Sequence, residues 1–86
     1  GYLGANTPMP DLIEVASESR PTLVVLSATT PERFAAVMPE LVSLAGIASL
    51  ALAGEGATME LAHGTGARLL KGDPVTAAQL LAASIT

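Results

Sequence analysis

At 86 residues the chain is long enough for one domain and no more, and a domain of this size buries only about 60–65% of its unfolded surface. Half of the residues are hydrophobic, mainly Ala, Leu and Val, with one Tyr (Tyr2), one Phe (Phe34) and no Trp, which makes for a thin core and close packing. The absence of cysteine excludes a disulfide, a thiolate metal ligand and a thiol nucleophile. A net charge of −4, with its basic residues scattered at Arg20, Arg33, Arg68 and Lys71, excludes a clustered phosphate-binding patch, so this chain by itself does not grip DNA.

Tyr2-Leu3 reads as the tail of a strand closed by Gly4. Asn6-Thr7-Pro8 reads as a loop and helix start, with Thr7 as cap and Pro8 at the tolerated first helical position. Leu12, Val15, Ala16 and Ser19 follow on one helical face. Arg20-Pro21 ends that helix, because the residue before proline is pushed out of α geometry. Residues 23–26, Leu-Val-Val-Leu, are aliphatic without alternation, the mark of a strand covered on both faces.

Thr30-Pro31 repeats the cap-plus-proline start, and Phe34, Val37, Met38, Leu41 and Ala45 form a helical stripe closed by Gly46. Pro39 lies inside the stripe, where proline costs ~3 kcal/mol, so the spacing predicts a kink or a restarted helix. Residues 47–53 read as the next strand, 57–63 as a short helix ending at Gly64 or Gly66, and 67–70 as a short strand. Asp73-Pro74 then caps a predicted final helix with Val75, Ala78 and Leu81 on its apolar side. The most apolar stretch, 41–53, is shorter than the ~20 residues a spanning helix needs and is interrupted by Ser43, Gly46 and Ser49. No charged leader followed by an apolar run opens the sequence, so a cytoplasmic location without membrane contact is expected.

Strand–helix alternation of this kind predicts an α/β fold, a doubly wound parallel sheet with helices on both faces. Because the first element is a strand tail, residues 1–86 read as a partial flavodoxin-like domain of order 2-1-3-4-5 that lacks its first strand and helix. A βα unit of ~30 residues is then expected upstream, with its strand separating residues 2–3 from 23–26. In such a sheet the polar ends Ser27-Ala28-Thr29 and Gly54-Glu55-Gly56 fall on one edge, the carboxyl edge where open α/β sheets bind ligands.

These segments together resemble the cobalamin-binding domain family, most closely the version fused to MerR-type transcriptional regulators, including light-sensing repressors. The resemblance runs from Tyr2-Leu3-Gly4-Ala5-Asn6-Thr7-Pro8 through Leu23-Val24-Val25-Leu26-Ser27 to the predicted final helix. The family carries an Asp-x-His-x-x-Gly loop, a Ser-x-Leu pair at a strand end and a Gly-Gly pair after the next strand. The first belongs to the upstream unit. The second falls on Ser27-Ala28-Thr29, with Thr29 in place of leucine, and the third on Gly54-Glu55, with Gly56 one position on.

The resemblance implies a cobalamin cofactor bound through its nucleotide tail, with Ser27 donating to the free nitrogen of the benzimidazole ring and glycine backbone approaching it closely. Its site residues would be Ser27, Thr29, Gly54, Glu55 and Gly56, with Asn6 and Thr7 beside them. It further implies a sensory module without catalysis, a separate N-terminal domain that holds DNA, and a homo-oligomer. A methyltransferase or mutase module and a cofactor-free interaction domain are the alternatives, the last favoured by Glu55.

Each site residue also has a plain structural reading: Ser27 and Thr29 as local caps, Gly54 and Gly56 as turn glycines, Asn6 and Thr7 as loop and cap. His63, the single histidine, reads as a helix-end or surface residue, since Leu61 rather than Asp stands two positions before it. No Ser-His-Asp order, phosphate loop or metal cluster stands in the sequence.

Overall fold

The Leu-Val-Val-Leu segment and its neighbours pair as the alternation requires. The computed structural model describes residues 8–70 and 80–85. Their elements in chain order are α1 (Met9–Ser19), β1 (Leu23–Ser27), α2 (Pro31–Ala35), α3 (Met38–Ile47), β2 (Ser49–Ala53), α4 (Met59–Thr65), β3 (Arg68–Leu69) and β4 (Leu80–Ser84). The strands form one sheet of order β3-β2-β1-β4, parallel throughout. This is an α/β fold with the strand order of a truncated flavodoxin-like, doubly wound domain.

Local signals set most boundaries. α1 begins one residue later than the sequence suggests, with Pro8 as the residue before the helix and Pro10 in its first turn. It stops at Arg20, which takes the left-handed conformation (φ 47°) and returns its N–H to the Ala16 carbonyl. Leu12 and Ala16 of the predicted face are buried and Val15 is half-buried. Ser19 is exposed instead, its hydroxyl donating to the Val15 carbonyl at 2.7 Å. Pro39 does restart the helix: α2 ends at Ala35, and α3 opens with Pro39 in its first turn, where the missing N–H has no helical partner to lose. Gly66, in the left-handed region at φ 79°, closes α4.

One prediction fails at the C-terminal end. Leu81 was placed on a helix, but residues 80–84 are a strand, β4, paired with β1 along its full length. The rest of the predicted final helix lies outside the described residues, as does the strand tail at Tyr2-Leu3. Leu and Ala favour helix by intrinsic propensity, but propensity yields to the sheet edge of β1. There β4 supplies the ladder partners that buried backbone groups require and buries Leu81 and Ala83. In a 2-1-3-4-5 sheet this position beside β1 belongs to the first strand, the slot expected to need another polypeptide segment. Residues 80–84 of the same chain fill it.

Side chains of successive strand residues point to opposite faces, and the core draws on both: Leu23 and Ala51 are buried on one face, and the larger cluster lies on the other. Val24, Leu26, Leu50, Leu52, Leu81 and Ala83 join Met9, Leu12 and Ala16 of α1, Phe34 of α2 and Leu41 and Leu44 of α3 in one buried cluster. Leu61 of α4 packs against it. The register places Leu23, Val25 and Ser27 of β1 on the opposite face, level with Ala53 of β2 and Ser84 of β4 at the last rung. Among the described residues no helix is long and apolar enough to cross a membrane.

Candidate functional site at the carboxyl edge of the sheet

Because the strands are parallel, their carboxyl ends share one edge. At its last rung Ser27 stands between Ala53 on one side and Ser84 on the other. The ladder then continues into the loops. The Ala28 N–H donates to the Ala53 carbonyl at 3.4 Å, and the Gly56 N–H donates to the Ala28 carbonyl at 2.9 Å. On the other side the Ile85 N–H donates to the Ser27 carbonyl at 3.0 Å. The edge thus brings Ser27, Thr29, Gly54, Glu55 and Gly56 together, as the sequence predicts, while Asn6 and Thr7 lie outside the described residues.

The two crossover loops are built differently. In the β2–α4 loop the Ala57 N–H donates to the Gly54 carbonyl at 3.2 Å, closing a tight turn. Thr58 then caps α4, its hydroxyl oxygen accepting from the Leu61 N–H at 3.2 Å. Gly54 is at φ 85°, and a Cβ there would lie 2.6 Å from the Ala28 carbonyl oxygen. A Cβ on Gly56 would run into the Thr30 carbonyl oxygen. The glycines are therefore required by the neighbouring loop. Its backbone already fills the space that a missing side chain opens.

The β1–α2 loop spends none of its hydroxyls in this way. Thr30 stands at the N-cap of α2 without a side-chain cap bond. Neither Ser27 nor Thr29 forms a side-chain hydrogen bond among the described residues. The capping role open to Ser27 and Thr29 in the sequence is thus not realised. Ser27 is half-buried and Thr29 exposed, so both hydroxyls are placed to meet something that approaches the edge.

Glu55 points out of the tight turn as an exposed residue. His63 is exposed in the last turn of α4, which runs away from the carboxyl edge toward β3, so it stands apart from the site. No group of three or more His, Asp or Glu capable of holding a metal occurs among the described residues. An open cleft of about 410 Å³ lies between the starts of α2 and α4, lined by Pro31, Glu32, Ala35, Thr58, Glu60 and Leu61. A second, of about 280 Å³, lies at the amino edge beside Ser49 and Arg68. Neither is lined by Ser27, Gly54 or Gly56.

Ser84 is the edge residue that sequence reasoning missed. The only signal for it was the alternation of Leu81 and Ala83 with Ala82 and Ser84, which reads as strand once a pairing partner is known. Compared with protein-family models, curated proteins and solved structures, the chain matches none.

Proposed function

We propose that this chain is the cobalamin-binding part of a sensory regulator, with Ser27 receiving the nucleotide tail of the cofactor at the carboxyl edge. The observation that carries this reading is the Ser27 hydroxyl itself. It ends a central parallel strand, is half-buried, and has no side-chain hydrogen bond among the described residues. A hydroxyl in that position donates to a ring nitrogen or accepts from a ligand hydroxyl, and the carboxyl edge is where open α/β sheets hold ligands.

The residues fit the group in part. Ser27 and Thr29 offer the hydrogen-bonding groups a nucleotide tail needs. Gly54 and Gly56 do not offer it room, because the Ala28 and Thr30 backbone occupies that space. The tail therefore belongs against the Ser27 and Thr29 hydroxyls at the edge itself, not between Ser27 and the glycine turn. Bound cobalamin would supply the cobalt-centred chemistry, while this chain holds the tail and the turn braces the strand that carries Ser27. In this reading the chain is not catalytic, works in the cytoplasm as part of a homo-oligomer, and leaves DNA contact to a separate N-terminal domain.

The test is uptake of hydroxocobalamin by the protein with its native flanking sequence, followed by visible absorption and by retention on dialysis. Ser27→Ala should weaken binding by about tenfold, the loss of one hydrogen bond at a partly buried site. Glu55→Gly should leave binding unchanged or slightly tighter, since ligand cover desolvates that carboxylate. A wild-type protein that retains no cobalamin would overturn the reading. The glycine packing favours one second reading, a cofactor-free α/β interaction domain, whose glycines serve only the loops.

A further inference from the structure

We infer that the outer face of α3 is a homodimer interface, on which a second copy of this chain packs its own α3 in parallel. This gives the oligomer of the reading above a surface, and it uses neither the cofactor nor the carboxyl edge. α3 exposes five residues, Pro39, Val42, Ser43, Gly46 and Ile47, and none is charged. Its one charged residue, Glu40, is half-buried. Val42 and Ile47, 51% and 40% exposed, are two of the three large hydrophobics left open among the described residues. The helices on either side differ: α1 exposes Asp11, Glu14 and Glu18, and α4 exposes Glu60 and His63. A surface helix carries its charge on the outward face, and one that is apolar all round is built to be covered.

The spacing points to a second copy and sets its direction. Pro39, Ser43 and Gly46 follow at intervals of four and three, the seam of a two-helix coil. Met38 and Ala45 lie against Gly64 and Gly66 at the end of α4. Val42, four residues after the first and three before the second, shares their side of the helix, and Ile47 lies across the seam toward α1. A two-fold axis along the seam therefore sets each Val42 against the partner's Ile47, so one symmetric contact covers both exposed hydrophobics. Turned end for end, the second copy would lay α1 on α1, acid against acid, which like charges oppose. The area suffices only if the whole helical layer takes part. α1, α3 and α4, of 11, 10 and 7 residues, lie side by side at about 10 Å and present roughly 400 Å² in projection. Accessible area exceeds projection, so two such faces reach the ~1,000 Å² a specific interface needs, at its reversible end. The uncharged stripe then lies at the centre and the charged residues at the rim.

The experiment is sedimentation velocity of the protein with its native flanking sequence, from about 1 µM to about 1 mM. Wild type should pass from monomer to dimer within that range. Val42→Glu and Ile47→Lys, both at exposed positions, should keep the melting midpoint and weaken association by at least about tenfold. An equimolar mixture of these two variants should associate again, because the new acid of one meets the new base of the other. The chain has no cysteine, so Ser43→Cys and Gly46→Cys report on direction: oxidised with diamide, each should give a disulfide-linked dimer, since on the axis each residue meets its own copy. Should a charge variant melt early, the crosslinks decide. A wild type that stays monomeric to about 1 mM overturns the inference, whatever its cobalamin uptake. Dimers that survive both charge variants use another surface and overturn it too. A mixture that stays monomeric, or crosslinking at only one of the two cysteine positions, contradicts the parallel pairing. Loss of cobalamin binding with the dimer intact sinks the cofactor reading alone.

Discussion

The β1–α2 and β2–α4 loops leave neighbouring strands at the same edge, and each carries small and hydroxyl residues, but they spend them differently. The β2–α4 loop uses its residues on itself and its neighbour. Gly54 and Gly56 admit the backbone of residues 28–30, and Thr58 caps α4. The β1–α2 loop leaves Ser27, Thr29 and Thr30 without side-chain bonds among the described residues, and α2 starts on Pro31 instead of a capping hydroxyl. A residue type alone does not separate a structural part from a binding part. What separates them is whether the local backbone has already claimed the group.

That division can be broken by substitution. The largest effect is expected at Gly54→Ala, about 3 kcal/mol of lost stability, from a left-handed φ and a displaced Ala28 carbonyl. Gly56→Ala should follow at about 2 kcal/mol, since the Thr30 carbonyl must move without added φ strain. Thr58→Ala should cost about 1 kcal/mol as a lost N-cap. Thr30→Ala, at the equivalent position of α2, should stay within about 0.5 kcal/mol because no cap bond is lost. Thermal or urea melts order these four variants, and a Thr30→Ala loss equal to that of Thr58→Ala would erase the contrast between the loops.

The glycine ranking also bears on ligand binding. Substituting Gly54 by a larger residue lowers stability whether or not a ligand lies nearby, so weaker cobalamin uptake by Gly54→Val does not locate a pocket. Ser27 and Thr29, which hold nothing in place, are the positions where binding and stability separate.

Much of the fold was legible because it rests on local rules. The unalternating aliphatic run gave β1, Pro39 gave the break between α2 and α3, and the choice between Gly64 and Gly66 bracketed the end of α4, which falls at Gly66. The convergence of Ser27 with Gly54 followed from parallel pairing alone. β4 was not legible, because Leu80–Ser84 is made of helix-favouring residues and becomes a strand only by pairing with a segment more than 50 positions away. Ser84 was hidden with it. The true neighbours of the two glycines were equally unreadable, since glycine signals close approach without saying whether ligand or backbone makes it.

The most direct test of this account pairs two single substitutions, Ser27→Ala and Thr58→Ala, each measured by hydroxocobalamin titration and by thermal melting in the protein with its native flanking sequence. The account predicts opposite patterns. Ser27→Ala should bind about tenfold more weakly with an unchanged midpoint. Thr58→Ala should bind like wild type with a midpoint lower by roughly 4–8 °C, the shift that about 1 kcal/mol produces in a domain of this size. A Ser27→Ala variant that melts early and binds normally would contradict the assignment of that loop to ligand and place both loops in the scaffold.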